Sequence, residues 1–377
     1  MPAPTERALI ESLRRQAKNP SSRSSAHSSH VNSRPAVRLG IGDDCAILRI
    51  PAGHEMLLTT DLSLETLHFR RDWHTAESAG HRCLARGLSD LAAMGAQPLA
   101  AFLSLALPPE LVIARSSRGR ASWRDRFLNG LLTLAGEHHV PLAGGDTAQA
   151  PVSPMEGIRT GNTRFANTGL AIADIVLVGS APKNRALQRS TANAGDLLYV
   201  TGYLGGAAAE LAALAAHPKR FAKIKTAAAS RPAKISPHPH LFPQPRVAVG
   251  RFLLARHLAT AAIDISDGLS TDLDHLCEES GLHAIIHAAA MPIHPLASAM
   301  ANPLLTALHG GEDYELLFTA SPSTHMPRSI ASIPITCIGE MKRSRHHQPR
   351  MQLSLSTSAR TVLEPLLPQG WEHYRAR

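Results

Sequence analysis

Apolar and polar positions along the chain follow two different periods, one typical of strands and the other typical of helices. Strand-like apolar runs occur at Cys45–Ile50, His54–Thr60, Ala100–Leu107, Val140–Ala143 and Leu170–Val178, and a strand pair is predicted near 333–355. Helical spacing predicts helices over 1–18, 76–94, 122–138 and 246–258. Strands that alternate with helices predict a layered α/β or α+β fold rather than a helical bundle or a solenoid.

The stretch 261–281, AAIDISDGLSTDLDHLCEESG, is the strongest local signal in the chain. A short apolar run is followed by a predicted helix in which three leucines share one face. We expect Ser266 to cap this helix and Gly281 to end it.

Two acids mark the junction of that strand and helix, Asp264 inside the apolar run and Asp267 three residues later. The helix dipole stabilises an acid in the first turn, which accounts for Asp267. Asp264 has no such explanation, because a carboxylate in a buried strand is costly unless a donor or a metal ion compensates it. Asp264 is therefore the first candidate for a functional acid.

The length of 377 residues allows two domains of ordinary size. We predict a first domain over 37–182 and a second over 183–377. An N-terminal helix and a Ser-rich insertion are predicted to precede them over 1–36. Three segments lie outside every motif described below and are interpreted as insertions, namely 19–34, 151–163 and 222–245.

Charge and cysteine content narrow the function classes. The net charge is +9, but the basic segments lack the interleaved aromatic residues of a base-stacking surface, so we expect no nucleic-acid partner. A basic nucleic-acid-binding module stays the non-enzymatic alternative. The four cysteines form no CxxC pair, which fits a reducing cytoplasm. No apolar run approaches the roughly 20 residues that cross a bilayer, so we expect no membrane segment.

Acidic residues recur after apolar runs and in Gly- or Ala-rich surroundings. The runs LLTTD, PLAGGD and AIDISD end at Asp61, Asp146 and Asp267, and further acids are Asp43, Asp44, Asp90, Glu312 and Asp313. In α/β sheets ligands bind beyond the carboxyl ends of strands, and carboxylates gathered there need cations. Mg²⁺ prefers such oxygen ligands and usually takes phosphate as well. We therefore predict a Mg²⁺ and polyphosphate site, in a chain without a GxxxxGK[ST] motif.

Each of these residues also has a structural alternative. A single Asp after a strand is commonly a turn or cap residue, and Gly205-Gly206 is commonly a tight turn. Asp90 fits a solvated helix face as well, and His68 fits a structural role. The occurrence of several such positions in one chain favours the functional interpretation.

Eight motifs, in this order, resemble those of the thiamine-monophosphate kinases, a family of the aminoimidazole ribonucleotide synthetase-like superfamily. They are GIGDDCAIL (40–48), TTDLSLETLHF (59–69), LSDLAAMGA (88–96), GGDT (144–147), VTGYLGG (200–206), IDISDGLSTDLDHL (263–276), GGEDYELLFT (310–319) and GWEHY (370–374). Selenophosphate synthetases fit less well, because the Cys and Lys expected before their Gly-Asp-Asp stretch are missing here.

The resemblance implies ATP-dependent phosphorylation of thiamine monophosphate to thiamine diphosphate, the last step of thiamine diphosphate biosynthesis, with several Mg²⁺ ions. It implies metal ligands at Asp43, Asp44, Thr60, Asp61, Asp90, Asp146, Asp264 and Asp267, of which Asp61, Asp146 and Asp264 are the catalytic candidates. It implies ATP contacts at Gly145, Asp146, Arg189 and Ser266, and thiamine contacts at His68, Glu312 and Trp371. It also implies two α/β domains, with N-terminal strands pairing across a homodimer in a barrel-like interface.

The chemistry of the acceptor predicts a direct transfer. The second pKa of a phosphate monoester is about 6, so its oxygen is largely ionised at neutral pH and needs no general base. The remaining difficulty is the repulsion of two polyanions, which Mg²⁺ and positioned donors offset. A covalent phospho-aspartate is the rival mechanism, but two residues, Ile265 and Ser266, separate the acids of AIDISDGLS where phosphatase motifs have one.

Overall fold

The computed structural model describes residues 35–113, 121–151, 159–160, 163–164, 169–221, 223–224, 235–344, 348–356 and 361–372. The helix predicted over 1–18 and the insertion 19–34 lie outside the described residues. The insertions 151–163 and 222–245 are described only in part. Within the described ranges, every helix is too short or too polar to span a lipid bilayer.

Strands and helices alternate along the chain as the sequence predicts, with bounds that differ by a few residues. The strands are β1 Val37–Leu39, β2 Ile47–Leu48, β3 His54–Leu64, β4 Gln97–Leu107, β5 Leu142–Gln149, β6 Arg159–Thr160, β7 Thr163–Arg164, β8 Ile172–Pro182, β9 Leu197–Thr201, β10 Ala261–Ile265, β11 Leu282–His287, β12 Glu315–Ala320, β13 Ser329–Ile330, β14 Ile333–Arg343, β15 Met351–Ser356 and β16 Thr361–Pro365. The α-helices are α1 Ala76–Ala93, α2 Pro109–Val112, α3 Trp123–Glu137, α4 Gly206–Ala216, α5 Pro218–Phe221, α6 Val247–Ala255, α7 Leu269–Ser280, α8 Pro295–Ser298 and α9 Pro303–His309. Two short 3₁₀ helices are Arg189–Thr191 and Ala288–Ala290.

The chain divides into two compact units. The N-terminal unit holds the described residues of Met1–Gly87, Pro98–Ser180 and Lys219–Thr226, and the C-terminal unit holds those of Leu88–Gln97, Ala181–Pro218 and Ala227–Arg377. The last residues of α1 belong to the C-terminal unit because α6 packs closely on them: a Cβ at Gly250 would lie 1.9 Å from the Ala92 carbonyl oxygen. Independent folding of 37–182 and 183–377 stays a prediction.

The N-terminal unit contains a four-stranded sheet in the order β3-β8-β4-β5, with β4 and β5 parallel. Glycines allow its two long helices to pack tightly. A Cβ at Gly80 in α1 would lie 1.8 Å from the backbone of α3, and one at Gly130 in α3 would lie 1.9 Å from the backbone of α1. At Gly87, α1 also contacts the side chain of Leu177 in β8. The small residues of α1 thus serve close packing on both sides.

The C-terminal unit contains an eight-stranded sheet in the order β10-β12-β9-β14-β11-β15-β16, with β13 paired to β14. Its strand pairs are antiparallel except for β11 and β15. The apolar face of α7 packs into the core of this unit through Leu269, Leu273 and Leu276, which are fully buried. Gly281 ends α7 in the left-handed conformation, as predicted.

Three details of the sequence prediction are wrong. Asp61 and Asp146 do not follow their strands but lie inside β3 and β5, because β5 continues its parallel pairing with β4 as far as Gln149. The expectation that acids gather beyond the carboxyl ends of neighbouring strands does not apply to the C-terminal sheet, because that sheet is mainly antiparallel. The strands near 333–355 do not pair with each other, since each of them pairs with β11.

Candidate active site

Asp264 lies in the C-terminal unit on β10, a strand whose five residues are all buried. Only 4% of Asp264 is exposed. The Ser89 hydroxyl, itself fully buried near the end of α1, donates a hydrogen bond of 2.8 Å to Asp264 Oδ2. The carboxylate that the sequence could not explain is therefore held by a buried donor.

The loop after β10 is organised by Asp272, a residue of α7 that sequence reasoning did not single out. Its Oδ2 accepts the backbone N–H groups of Ser266, Asp267 and Gly268, each at 3.1 Å. The prediction that Ser266 caps α7 is wrong. The N-cap is Gly268, at φ 111°, and its backbone N–H is among those bound by the Asp272 carboxylate from inside the first turn.

The acids around this loop are near enough for their charges to interact. Burial raises the pKa of Asp272 well above its usual value, and the charges of Asp264 and Asp267 raise it further. Neighbouring carboxylate oxygens of this kind are the hard ligands that Mg²⁺ prefers. The donor chemistry of Asp264 and Asp267 therefore fits a divalent cation.

The segment Gly310–Tyr314 lies against the same loop. The Glu312 N–H donates to the Ser266 carbonyl oxygen at 2.8 Å, and the Tyr314 N–H donates to the Ile265 carbonyl oxygen at 2.9 Å. Glu312 and Tyr314 adopt left-handed backbone conformations, φ 68° and 50°. Conformations of this kind cost energy in a non-glycine residue and concentrate at functional sites.

The closing motif of the chain also contacts this loop. The Trp371 N–H donates to the Asp267 carbonyl oxygen at 2.9 Å, and the Gly370 N–H donates to Thr271 Oγ1 at 3.1 Å. A Cβ at Gly370 would lie 2.0 Å from the Asp267 carbonyl oxygen, so this close approach requires glycine. The structure thus brings Trp371 next to Asp267, Ser266 and Glu312.

Two other predicted residues of the C-terminal unit lie on its helices. Arg189 is exposed on a short 3₁₀ helix that contacts α7, where the Ser280 hydroxyl donates to its carbonyl oxygen at 2.6 Å. Asp90 is half-buried in α1, directly after Ser89. Its partial burial argues against a purely solvated helix face.

In the N-terminal unit, Asp61 forms an ion pair with Arg86 of α1. The distance between Asp61 Oδ1 and Arg86 Nη2 is 2.8 Å, and 20% and 16% of the two side chains are exposed. The neighbouring Thr60 is exposed. Arg86 was missed in the sequence, although an arginine within the small and apolar residues of α1 is an identifiable signal.

The other predicted acids of this unit are exposed and make local contacts. Asp43 Oδ1 accepts the N–H of Asp44 at 2.9 Å, and Asp146 Oδ1 accepts the N–H of Thr147 at 2.7 Å. Gly145 has φ 140°, and a Cβ there would lie 1.9 Å from the carbonyl oxygen of the paired strand β4. Strand pairing alone therefore requires glycine at 145.

His68 supports a turn after β3. Its Nδ1 accepts the Leu64 N–H at 3.0 Å, and the Arg82 guanidinium donates to its carbonyl oxygen at 3.2 Å. Since Nδ1 is an acceptor here, a neutral His68 ring carries its proton on Nε2. The structural role foreseen for His68 is thus present.

The predicted residues form separate groups. Asp264, Ser266, Asp267, Glu312 and Trp371 meet around one loop, whereas Asp61 and Asp146 lie on β3 and β5, at opposite edges of their sheet. Among the residues that the structure describes, no three His, Cys, Asp or Glu side chains are grouped closely enough to hold a metal ion. Mg²⁺ does not need such a cage, because it usually takes one or two carboxylates and completes its shell with water and phosphate.

Asp313 is a buried acid whose titration makes the stability of the folded chain depend on pH. Its two oxygens accept the N–H groups of Gly205 and Ala207 at 2.6 and 3.0 Å, before and at the start of α4. Burial raises the pKa of Asp313 to about 7, and the charges of Glu315 and Glu312 act in the same direction. The unfolded chain releases this proton near pH ~4. The folded chain therefore holds an extra proton between these values, and the contribution to stability is lost as the pH rises toward 7.

We expect the Asp313→Asn variant, which cannot titrate, to show a flatter free energy of unfolding than the wild type between about pH 4 and pH 7. Urea unfolding followed by circular dichroism at several pH values measures the two slopes. Parallel slopes for the two proteins would contradict the raised pKa.

Comparisons with known proteins identify the family of this chain. Residues 42–161 match the family described as AIR synthase related protein, N-terminal domain. The thiamine-monophosphate kinase of Escherichia coli (strain K12) is 38% identical over 317 residues, covering 82% of this chain and 86% of that protein.

Solved structures give the same result. The crystal structure of thiamine-monophosphate kinase from Stenotrophomonas maltophilia K279a matches with a TM-score of 0.68 at 30% identity, covering 93% of this chain and 97% of that one. A structure described as AaThiL complexed with AMPPCP and TMP matches with a TM-score of 0.65 at 23% identity, covering 98% and 97%, and shares the fold. The predicted two-domain α/β fold is thereby confirmed, and the identity to the Escherichia coli protein over most of both chains shows that this chain belongs to the thiamine-monophosphate kinase family.

Proposed function

We propose that the chain transfers the terminal phosphate of ATP to thiamine monophosphate and so produces thiamine diphosphate. The observation that carries this proposal is the 38% identity to the Escherichia coli thiamine-monophosphate kinase over 86% of that protein. The loop around Asp264 supports it, because five candidate residues of the C-terminal unit meet there, namely Asp264, Ser266, Asp267, Glu312 and Trp371.

The direct test is acceptor selectivity. Purified protein is incubated with ATP, Mg²⁺ and either thiamine monophosphate or thiamine, and the products are identified by ³¹P NMR. We expect the monophosphate to give a diphosphate and thiamine to remain unchanged. Phosphorylation of thiamine in place of its monophosphate would overturn the acceptor assignment.

The binding groups are assigned in two sets. In the N-terminal unit we assign Asp43, Asp44, Thr60, Asp61 and Asp146 as Mg²⁺ ligands, and in the C-terminal unit Asp90, Asp264 and Asp267. Bound Mg²⁺ would neutralise phosphate charge and polarise the transferring group.

The remaining groups would bind the two substrates. Gly145, Asp146, Arg189 and Ser266 are assigned to ATP, and His68, Glu312 and Trp371 to the thiamine part. Arg189 is exposed and can pair with phosphate oxygens in a bidentate manner. Ser266 and Asp267 are held by the Asp272 carboxylate, so their positions are fixed before substrates bind.

We further infer a direct transfer between the two substrates. Asp264, one of the two acids in the motif that suggests a phospho-aspartate, is only 4% exposed and accepts a hydrogen bond from Ser89, which disfavours an in-line attack by this residue. Rapid quench with [γ-³²P]ATP separates the alternatives. Labelled protein that is sensitive to hydroxylamine and forms before labelled product would contradict direct transfer.

The homodimer implied by the resemblance is also a proposal. On β3, an edge strand of its sheet, the alternating residues Met56, Leu58 and Leu62 are 57%, 58% and 52% exposed. Large apolar side chains in a row on an edge strand mark a surface for strand pairing. A second copy of the chain is the proposed partner.

We also propose a cytoplasmic location, because the four cysteines are free and disulfides are rare in that reducing compartment.

We expect Leu58→Glu to shift the protein from dimer toward monomer, because a carboxylate in an apolar interface is not compensated. Sedimentation velocity at several protein concentrations measures the change. The matched control is Leu363→Glu, at a leucine 46% exposed on β16, the edge strand of the other sheet. A monomeric wild type, or a dimer unaffected by Leu58→Glu, would contradict the proposed surface.

A further inference from the structure

The described end of the insertion 222–245 packs against a buried acid of α4. Glu210 is 2% exposed, and its Oε2 accepts the N–H groups of His240 and Leu241 at 2.8 and 3.2 Å. Nδ1 of His238 lies 2.7 Å from its other oxygen, Oε1. This carboxylate therefore fixes the backbone of the turn from 238 to 241.

The fixed turn places the His240 ring against Glu312. Nδ1 of His240 lies 3.1 Å from Glu312 Oε2, and the two side chains are 1% and 26% exposed. Because an ionised carboxylate can only accept hydrogen bonds, Nδ1 carries a proton in this contact. The backbone of the turn is bound by Glu210, separately from the contact that the ring makes.

The surroundings of Glu312 are acidic. Asp313 is buried beside it, and Glu315 lies close enough for both glutamates to raise the pKa of Asp313. Arg246 pairs with Glu315 through two hydrogen bonds, so that charge is compensated elsewhere. The buried N–H of His240, whose Nδ1 lies 3.1 Å from Oε2, restrains the Glu312 carboxylate directly.

We propose that His240 is a positioning residue that holds the Glu312 carboxylate toward the acceptor. This inference rests on the proposed function, in which Glu312 contacts the thiamine part of the substrate. The thiazolium ring of that substrate carries a permanent positive charge, and a carboxylate fixed in a partly buried site binds such a cation better than a mobile one. A segment outside the eight motifs recognised in the sequence thus supplies a determinant of acceptor binding.

The test compares His240→Ala, His240→Asn and His238→Ala by steady-state kinetics with thiamine monophosphate and ATP. We expect His240→Ala to raise the KM for thiamine monophosphate about tenfold, with kcat and the KM for ATP changed less than about twofold. His240→Asn should restore most of the affinity, because the Asn amide N–H lies near the position of Nδ1. His238→Ala is the matched control, since this residue contacts Glu210 but not Glu312.

A second comparison asks whether the two residues act together. Glu312→Gln should raise the KM for thiamine monophosphate, and adding His240→Ala to it should change that KM by less than about twofold. If His240→Ala does not fold, His240→Gln replaces it, because the Gln amide lies near Nε2 and should leave the KM high.

An unchanged acceptor KM in folded His240→Ala, or equal effects of His240→Ala and His238→Ala on both substrates, would overturn the inference while the wild-type activity stands. A wild type that does not phosphorylate thiamine monophosphate would overturn the proposed function itself. Thermal unfolding of each variant confirms that the comparison is made between folded proteins.

Discussion

We expect Asp146→Ala to lower kcat/KM for the phosphorylation of thiamine monophosphate by roughly 100-fold or more, by analogy with the loss of one preorganised electrostatic group. Asp146 is exposed on β5, and its carboxylate accepts the N–H of the next residue, Thr147. Its removal should therefore cost little stability. Steady-state kinetics at saturating Mg²⁺, together with thermal unfolding, separates the loss of activity from a loss of fold.

Asp274→Ala is the control for that variant. Asp274 lies on α7 in an ion pair of 2.8 Å with Arg350, and a pair at the surface contributes about 0 to 1 kcal/mol. The control should keep near-normal turnover. An Asp146→Ala enzyme with turnover close to that of the control would argue against any role of this acid in phosphate transfer.

Removal of the Asp272 carboxylate should have a large effect on the stability of the fold. We expect Asp272→Ala to lower the free energy of unfolding by about 3 kcal/mol, because three backbone N–H groups lose their acceptor, the one of Gly268 in a buried place and the other two in partly buried ones. Asp272→Asn keeps an oxygen at this position and cannot acquire the charge that burial, Asp264 and Asp267 disfavour. It should therefore be considerably more stable than Asp272→Ala.

Denaturant unfolding followed by circular dichroism measures both variants against the wild type. Asp274→Ala again serves as the control, since it lies on the same helix but contacts Arg350 at the surface. Equal stabilities of Asp272→Ala and Asp272→Asn would show that the carboxylate does not organise this loop.

The sequence predicted the elements around the C-terminal loop because their signals are local. The leucine spacing of α7 and the glycine at 281 determine where that helix packs and ends. Asp272 was missed, although it lies three residues after Leu269 and one before Leu273, on the apolar face. An acid in that position is itself a signal of a buried acceptor.

Contacts between distant parts of the chain could not be predicted in this way. Ser89 and Asp264, Asp61 and Arg86, and His240 and Glu312 are pairs whose members lie far apart in sequence or on different elements. Hydrophobic periodicity defines which face of an element is buried but not which polar residue it meets. The family motifs contain one or both members of each pair, but they do not indicate that the two residues contact each other.

The end of strand β5 also could not be predicted from the local sequence pattern. An apolar run followed by glycines predicts the end of a strand, yet β5 continues through Gly144 and Gly145 as far as Gln149 because it pairs with β4. Pairing with a neighbour is a tertiary property, which overrides local turn signals. The acids at 61 and 146 therefore present their side chains from within strands.

We propose that this chain moves the terminal phosphate of ATP directly onto the phosphate of thiamine monophosphate. The most direct measurement is to follow the label of [γ-³²P]ATP during turnover with Mg²⁺ and thiamine monophosphate. We predict label in the terminal phosphate of thiamine diphosphate, with one ADP formed for each labelled product. Label that appears only in inorganic phosphate, with no labelled thiamine compound, would contradict the proposed transfer.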